Sequence, residues 1–123
     1  MVFVKPPSDP NIVWWYRATV TNIVDGDTID IKLDRGFKDF TNGKRIRLAY
    51  IDCPDKDRSA KQAAKEHLEE LVSVGDEVLI HTHKDKSGMY GRLIAEVISR
   101  GVNLCRAQLD SGHARIWGDG IRW

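Results

Sequence analysis

Cysteine is scarce in this chain, with Cys53 and Cys105 the only two among 123 residues. Two cysteines cannot form the disulfide framework that stabilises many small secreted domains, so we expect two reduced thiols. Cys-x-x-Cys and His-x-x-x-His spacings are both absent from the sequence, so no structural zinc site is predicted. In a strand, His81-Thr82-His83 would place two imidazoles on one face, and we interpret them as exposed strand histidines.

Long hydrophobic runs are also missing. No apolar segment approaches the roughly 20 residues that span a bilayer. Met1–Pro7 has neither the basic region nor the sustained apolar region of a secretory signal. With 30% charged residues and a mean hydropathy of −0.40, these features predict a cytoplasmic protein with no membrane partner, and they suit a bacterial or phage origin.

Charge of either sign is not in large excess, since 19 basic and 18 acidic residues leave a net charge of +1. A protein that binds nucleic acid through its overall charge would be more basic. Any nucleic acid would therefore be bound by a local patch, with an affinity that falls as salt rises.

Proline is rare beyond the N-terminus, because three of the four prolines lie within residues 1–12. Proline cannot donate to a strand ladder and restricts the residue before it, so we predict an extended N-terminal arm there. The chain length suits one domain. We place that domain at 13–117, followed by a C-terminal tail at 118–123.

Alternating apolar and polar residues predict five strands. They cover residues 12–24, 28–33, 44–51, 78–81 and 92–98. Asp25-Gly26-Asp27 and Asn42-Gly43 are predicted hairpin turns, because Asp-Gly and Asn-Gly tolerate the positive φ angles that tight hairpins need. Residues 113–117 are a candidate for a short return strand.

Two helices are predicted between and after these strands. The first covers about 60–73, with Ser59 as N-cap, Gln62 completing a capping box and Gly75 as the stop. The second covers Val102–Asp110. Three strands, a helix, two strands and a helix do not suit a doubly wound sheet. They are typical of an α+β fold, a five-stranded OB-type barrel with two or three helices.

Charged residues gather where the predicted strands end. The stretch Arg47-Leu48-Ala49-Tyr50-Ile51-Asp52-Cys53-Pro54-Asp55 opens with a cation and closes with two carboxylates around a proline. A second acidic turn, Asp25-Gly26-Asp27-Thr28, lies upstream, and a second arginine lies downstream in Tyr90-Gly91-Arg92. Two acids could hold a hard metal ion, a third could activate water, and two arginines could bind a phosphate.

Four motifs in the chain follow a familiar order. They are Val24-Asp25-Gly26-Asp27-Thr28, then Arg47 to Asp55 as above, then Tyr90-Gly91-Arg92-Leu93-Ile94-Ala95, then Gly101-Val102-Asn103-Leu104 with Gly112-His113-Ala114. Across roughly residues 18–117 the chain thereby resembles the staphylococcal (micrococcal) nuclease-like family. The resemblance implies an OB-type barrel and a calcium-dependent endonuclease. Its implied substrate is DNA, with RNA a second candidate and single strands preferred, cut to leave 3′-phosphate ends with low sequence specificity.

The resemblance also implies a metal site and a general base. Asp27 and Asp52 match the family's calcium ligands, and the backbone carbonyl of Cys53 would join them around one ion. Asp55 matches the acid that activates the attacking water.

For the substrate, the resemblance implies that Arg47 and Arg92 contact the scissile phosphate. Tyr90 would lie near the nucleotide. We first interpret Lys84 as part of a solvated loop, although on this fold it could reach the nucleic-acid backbone. Trp117 is a further candidate for base contact, although we first interpret it as a core or rim aromatic.

The chain departs from the family at the base, where Asp55 stands in place of glutamate. A misplacement of about 1 Å can cost on the order of 10²-fold in rate, so we expect an active but slower enzyme, with Asp57 as a backup acid. The alternative is a catalytically weak or inactive nuclease-like module that binds nucleic acid or a protein partner. In the plainest alternative, the acids are ordinary turn residues and the arginines ordinary surface residues.

Overall fold

The computed structural model describes residues 15–82 and 93–116 and places eight strands and two helices in them. In chain order they are β1 (Trp15–Asp25), β2 (Thr28–Asp34), β3 (Phe40–Leu48), β4 (Ile51–Asp52), α1 (Arg58–Leu71), β5 (Glu77–Thr82), β6 (Leu93–Ser99), β7 (Val102–Asn103), α2 (Leu104–Asp110) and β8 (Arg115–Ile116). The predicted arm and tail lie outside the described residues. In the part of the chain that is described, no helix is long and apolar enough to cross a membrane.

Five of these strands close into a barrel. They pair in the order β3-β2-β1-β5-β6 with antiparallel neighbours. A parallel pairing of β3 with β6, in which Leu48 lies opposite Ala95, closes the ring. Because α1 separates the third and fourth barrel strands in sequence, the architecture confirms the predicted α+β OB-type barrel.

Alternate residues of the strands fill the barrel interior. Ile29 and Ile31 of β2 are fully buried, whereas Asp30 between them is partly exposed, as the two-residue period of a strand requires. From α1, Ala64 and Leu68 pack against this core. Full burial of a leucine side chain contributes about 1.5–3 kcal/mol, so α1 is held firmly beside the end of the barrel.

The predicted hairpin turn at Asn42-Gly43 is wrong. Both residues lie within β3, and the register of β2 against β3 shifts around them, which is a β-bulge. Gly43 has a φ of 67°, a conformation that glycine adopts easily in bulges. The chain turns instead at residues 35–39, where the N–H of Arg35 donates to the carbonyl of Asp39 over 2.8 Å.

The predicted third strand at 44–51 is in fact two strands. β3 ends at Leu48, and the chain turns through Tyr50, whose φ is 70°. Ile51–Asp52 then forms β4, which pairs with β8 at Arg115–Ile116. The break carries Asp52 away from the barrel ladder and into a separate two-stranded sheet.

Both predicted helices are present, but the N-cap predicted for the first is wrong. α1 begins at Arg58 because Asp57, rather than Ser59, is the N-cap, and its carboxylate accepts a bond from the N–H of Ala60 over 3.2 Å. Asn103 caps α2 in the same way. The carboxylate of Asp57 therefore has a structural partner, which weakens the case for it as a backup acid.

His81 is not the exposed strand histidine that the sequence predicted. Its side chain is 25% exposed, and its ring stacks on Trp15 with centroids 4.1 Å apart. Its Nδ1 lies 3.0 Å from Oε2 of Glu96. The second histidine of that prediction, His83, lies outside the described residues.

Candidate active site

The turn between β1 and β2 brings Asp27 close to α1. Gly26 permits this approach, because a Cβ at its position would lie 2.6 Å from Cβ of Ala64 and 3.1 Å from Sγ of Cys53. Gly26 is not among the residues with positive φ. Close packing of α1 on the turn, rather than an unusual backbone angle, therefore requires glycine here.

Asp27 is a buried carboxylate, with only 7% of the residue exposed. Its Oδ1 accepts a bond from the hydroxyl of Thr28 over 3.0 Å, and its Oδ2 accepts one from the N–H of Cys53 over 3.1 Å. Oδ2 also lies 3.7 Å from Nη1 of Arg47. These contacts offset the cost of burying a charge, and they hold the carboxylate in one orientation.

Arg47 lies between the two predicted metal-binding carboxylates. Its Nη2 donates to Oδ1 of Asp52 over 3.3 Å and to the carbonyl of Ile51 over 3.2 Å, while Nη1 faces Asp27. Its side chain is 15% exposed, since β3, which carries it, runs between β2 and β6. The fold thus brings one cation and two acids from three different segments into contact.

A second guanidinium, which the sequence motifs do not predict, reaches Asp52. Nη2 of Arg115 lies 3.4 Å from Oδ2 of Asp52, because the pairing of β4 with β8 places the two residues opposite each other. The Arg115 side chain is 82% exposed, so the contact contributes little to stability. The only sequence signal was a basic residue directly after the Gly112-His113-Ala114 motif.

A cavity of about 210 Å³ opens between these groups. It is lined by Asp25, Asp27, Thr28, Arg47, Asp52, Cys53, Pro54, Asp55 and Lys61. Asp55, an exposed carboxylate beyond Pro54, thus borders the same space as the predicted metal ligands. The remaining predicted site residues, which lie outside the described residues, are Lys84, Tyr90, Arg92 and Trp117.

Cys53 contacts Asp27 through its backbone N–H, and its free thiol belongs to a buried residue. Burial, together with the negative charges of Asp27 and Asp52, raises the pKa of the Cys53 thiol to about 12. A thiol that stays protonated at neutral pH is a poor nucleophile.

Gln108 supports the turn that carries Asp27, although no sequence motif predicts a role for it. It is fully buried, and its Nε2 donates to the carbonyls of Gly26 over 2.7 Å and Ala64 over 3.0 Å. Its Oε1 must then accept, so the contact with His67 identifies Nδ1 of that histidine as the donor. Gln108 therefore ties α2 and α1 to the turn that carries Asp27.

Comparison with known proteins shows which family and which proteins this chain is similar to. The model of a family described as staphylococcal nuclease homologue matches residues 45–119, more than half of the chain. Endonuclease YhcR of Bacillus subtilis (strain 168) is 27% identical over 122 residues, which cover 89% of this chain and 10% of that protein. An uncharacterized endonuclease of Escherichia coli O157:H7 is 26% identical over 102 residues, which cover 82% of this chain and 61% of that protein. The chain thus spans a tenth of the first relative and less than two thirds of the second.

Proposed function

This chain belongs to the staphylococcal nuclease family, and from that premise we propose that it is a calcium-dependent endonuclease that hydrolyses phosphodiester bonds. The observation that carries the proposal is the meeting of Arg47, Asp27, Asp52 and Asp55 around one cavity. Phosphodiester hydrolysis needs stabilisation of the charge that develops on the phosphate and activation of a water molecule. The arginine could stabilise the charge on the phosphate, and a carboxylate could activate the water molecule.

The donor atoms of the cavity fit a hard cation. Asp27 and Asp52 supply carboxylate oxygens, with the backbone carbonyl of Cys53 as a further candidate, and calcium prefers oxygen ligands. Among the described residues, no group of three or more His, Cys, Asp or Glu side chains is arranged to hold a metal, so backbone, water and phosphate oxygens would complete the shell. When bound, the ion would stabilise negative charge on the reacting phosphate.

Arg47 is suited to bind the scissile phosphate. The carbonyl of Ile51 and the carboxylate of Asp52 orient its guanidinium, and a guanidinium can pair with two phosphate oxygens. Its small exposure strengthens that attraction, since charges interact more strongly away from bulk water. Arg92, outside the described residues, is the proposed second arginine of this clamp.

Asp55 is the proposed general base. Its carboxylate would accept a proton from the attacking water, a step that contributes about 10²–10⁴-fold to the rate of an enzyme. It is exposed and borders the cavity, so water reaches it directly.

The proposed substrate is recognised by its backbone. DNA is the first candidate and RNA the second, with single strands preferred, and the residues assigned above would act on the phosphate that all of these substrates share. Contacts with phosphate carry no sequence information, so cleavage is expected to have low sequence specificity. The names of the two relatives, both endonucleases, support internal cleavage of a strand.

The proposal is tested by cleavage of single-stranded DNA and of plasmid DNA in calcium, in magnesium and in EDTA. The informative variant is Arg47→Gln. Its matched control is Arg45→Gln, which removes an exposed arginine from the same face of β3, where Arg45 pairs with Asp30 over 2.8 Å.

Calcium-dependent cutting that Arg47→Gln abolishes and Arg45→Gln retains would support the nuclease. An absence of cutting in every metal, with DNA still bound in a gel shift, would overturn it. That result would favour the alternative, a nuclease-like module that binds nucleic acid without cleaving it.

A further inference from the structure

A second hollow adjoins the catalytic cavity along α1. It has a volume of about 340 Å³ and is lined by Val24, Asp25, Arg58, Lys61, Gln62 and Lys65. Asp25 and Lys61 also line the catalytic cavity, so the two spaces are neighbours. We propose that this hollow binds the phosphates that flank the scissile one, so that the substrate is a polynucleotide strand rather than a dinucleotide.

Three cations, named here the α1 stripe, form one wall of the hollow. Arg58, Lys61 and Lys65 are spaced by three and four residues, which places them on one face of the helix. Seven residues of helix rise about 10 Å, and the axial rise per nucleotide of B-form DNA is roughly 3.4 Å. The stripe is therefore long enough to meet more than one phosphate of a strand.

The lining of the hollow does not neutralise these cations. Nζ of Lys61 lies 3.8 Å from Oδ1 of Asp25 in a pair whose side chains are 45% and 37% exposed. Within residues 15–82 and 93–116, neither Arg58 nor Lys65 is ion-paired with a carboxylate. Three cations against one carboxylate leave a positive, solvent-accessible surface, which suits a polyanion.

A further hollow, lined by residues 52–57 and 112–115, has a less basic lining. It also measures about 340 Å³, and its charged lining comprises three carboxylates, Asp52, Asp55 and Asp57, against the two cations Lys56 and Arg115. It therefore offers a phosphate less positive charge than the α1 stripe does. The strand is therefore expected to extend from the catalytic cavity along α1 and not across this further hollow.

The test compares two triple variants of equal charge. R58Q/K61Q/K65Q removes the α1 stripe and keeps helix propensity, since glutamine, lysine and arginine are similar helix formers. R35Q/K38Q/R106Q is the control. Arg35 and Lys38 follow the end of β2 that is remote from Thr28, and Arg106 is exposed on α2.

Two measurements are made on the full chain. Binding of a single-stranded oligonucleotide is followed by fluorescence anisotropy in EDTA between about 50 and 200 mM salt. Cleavage of the same oligonucleotide and of a dinucleotide is followed in calcium. The stripe variant is expected to bind the oligonucleotide more weakly, and the slope of log Kd against log salt should fall by about 2, because each phosphate contact of a single strand contributes about 0.7.

Cleavage of the dinucleotide should fall less than cleavage of the oligonucleotide in the stripe variant, because Lys61 also borders the catalytic cavity whereas Arg58 and Lys65 line only the second hollow. The control should keep the wild-type salt slope. Equal slopes in the two triple variants would overturn the inference, as would a wild type that cuts the oligonucleotide no better than the dinucleotide. The inference rests on the proposed function for the scissile phosphate alone. Wild type could cut neither substrate while the stripe variant still shows the reduced salt slope. In that case the proposed function fails, but the inference that the α1 stripe binds phosphates is supported.

Discussion

Nη2 of Arg47 lies 3.3 Å from Oδ1 of Asp52, so the proposed phosphate clamp and a proposed metal ligand are in direct contact. The same guanidinium faces the buried Asp27 at 3.7 Å. In such a cluster each charge offsets the burial of the others, and removal of one leaves the rest unbalanced. Substitutions at these three positions are therefore expected to have coupled and not additive effects.

Asp52→Asn is expected to weaken calcium binding on the order of tenfold or more, because an amide oxygen replaces a charged ligand and calcium affinity follows the ligand charge count. Isothermal titration calorimetry without nucleic acid measures this directly. Asp110→Asn, an exposed position on α2, is the control that removes one carboxylate elsewhere. If Asp52→Asn and Asp110→Asn bind calcium equally well, Asp52 is not a ligand.

Asp55→Asn is expected to lower kcat by about 10²–10⁴-fold, because the amide cannot accept a proton from water. Asp55→Glu should retain activity or raise it, since the added methylene restores the length of the family's usual base. Rates at saturating substrate provide the measurement. Asp57→Asn serves as the control, because asparagine caps a helix about as well as aspartate. Loss of activity in Asp57→Asn alone would reassign the base to Asp57.

Gln108→Leu is expected to reduce both stability and activity. Each buried polar group left unpaired costs about 1–3 kcal/mol, and the carbonyl of Gly26 loses its bond from Nε2. Urea denaturation reports the stability, and kcat reports whether the turn that carries Asp27 has moved. Glu70→Leu, at an exposed position of α1, should change neither quantity appreciably. A Gln108→Leu variant with normal kcat once folded would show that Gln108 supports only the packing.

The two cysteines predict how the protein responds to high pH. Burial raises the pKa of the thiols of Cys53 and Cys105 from 9.0 to about 12. Since the unfolded chain loses these protons first, the stabilising contribution is complete below pH 9 and falls as pH rises from 9 to about 12. At pH 8, iodoacetamide should modify neither thiol in the folded protein and both in urea. Rapid modification of the folded chain would contradict these pKa values.

Much of the fold could be predicted from local patterns in the sequence. The alternation at residues 28–33 predicted β2, because successive side chains of a strand point to opposite faces. The helical spacing that includes Ala64 and Leu68 predicted α1 as the helix between the third and fourth barrel strands. Motifs also predicted Arg47 and the site acids, which the fold brings around one cavity.

Local sequence patterns gave wrong predictions where the same residues are compatible with two different local structures. Asn42-Gly43 is compatible with a hairpin turn or a bulge, and in the structure the pairing of β2 with β3 produces the bulge. Ser59 and Asp57 are both good N-caps, and in the structure Asp57 is the residue that caps α1. In each case the choice depends on where neighbouring elements pack, which a short window of sequence does not contain.

The sequence by itself determined the order of the five barrel strands and the two helices, the glycine and acids of the first turn, and the arginine that precedes the second acidic segment. Only the tertiary structure decided which of these groups meet. The bond from Gln108 to the carbonyl of Gly26 joins residues 82 positions apart, and the contact of Arg115 with Asp52 depends on the pairing of β4 with β8. Hydrogen bonds and ion pairs act over a few ångströms, so packing of the whole barrel, and not spacing along the chain, places their partners within reach.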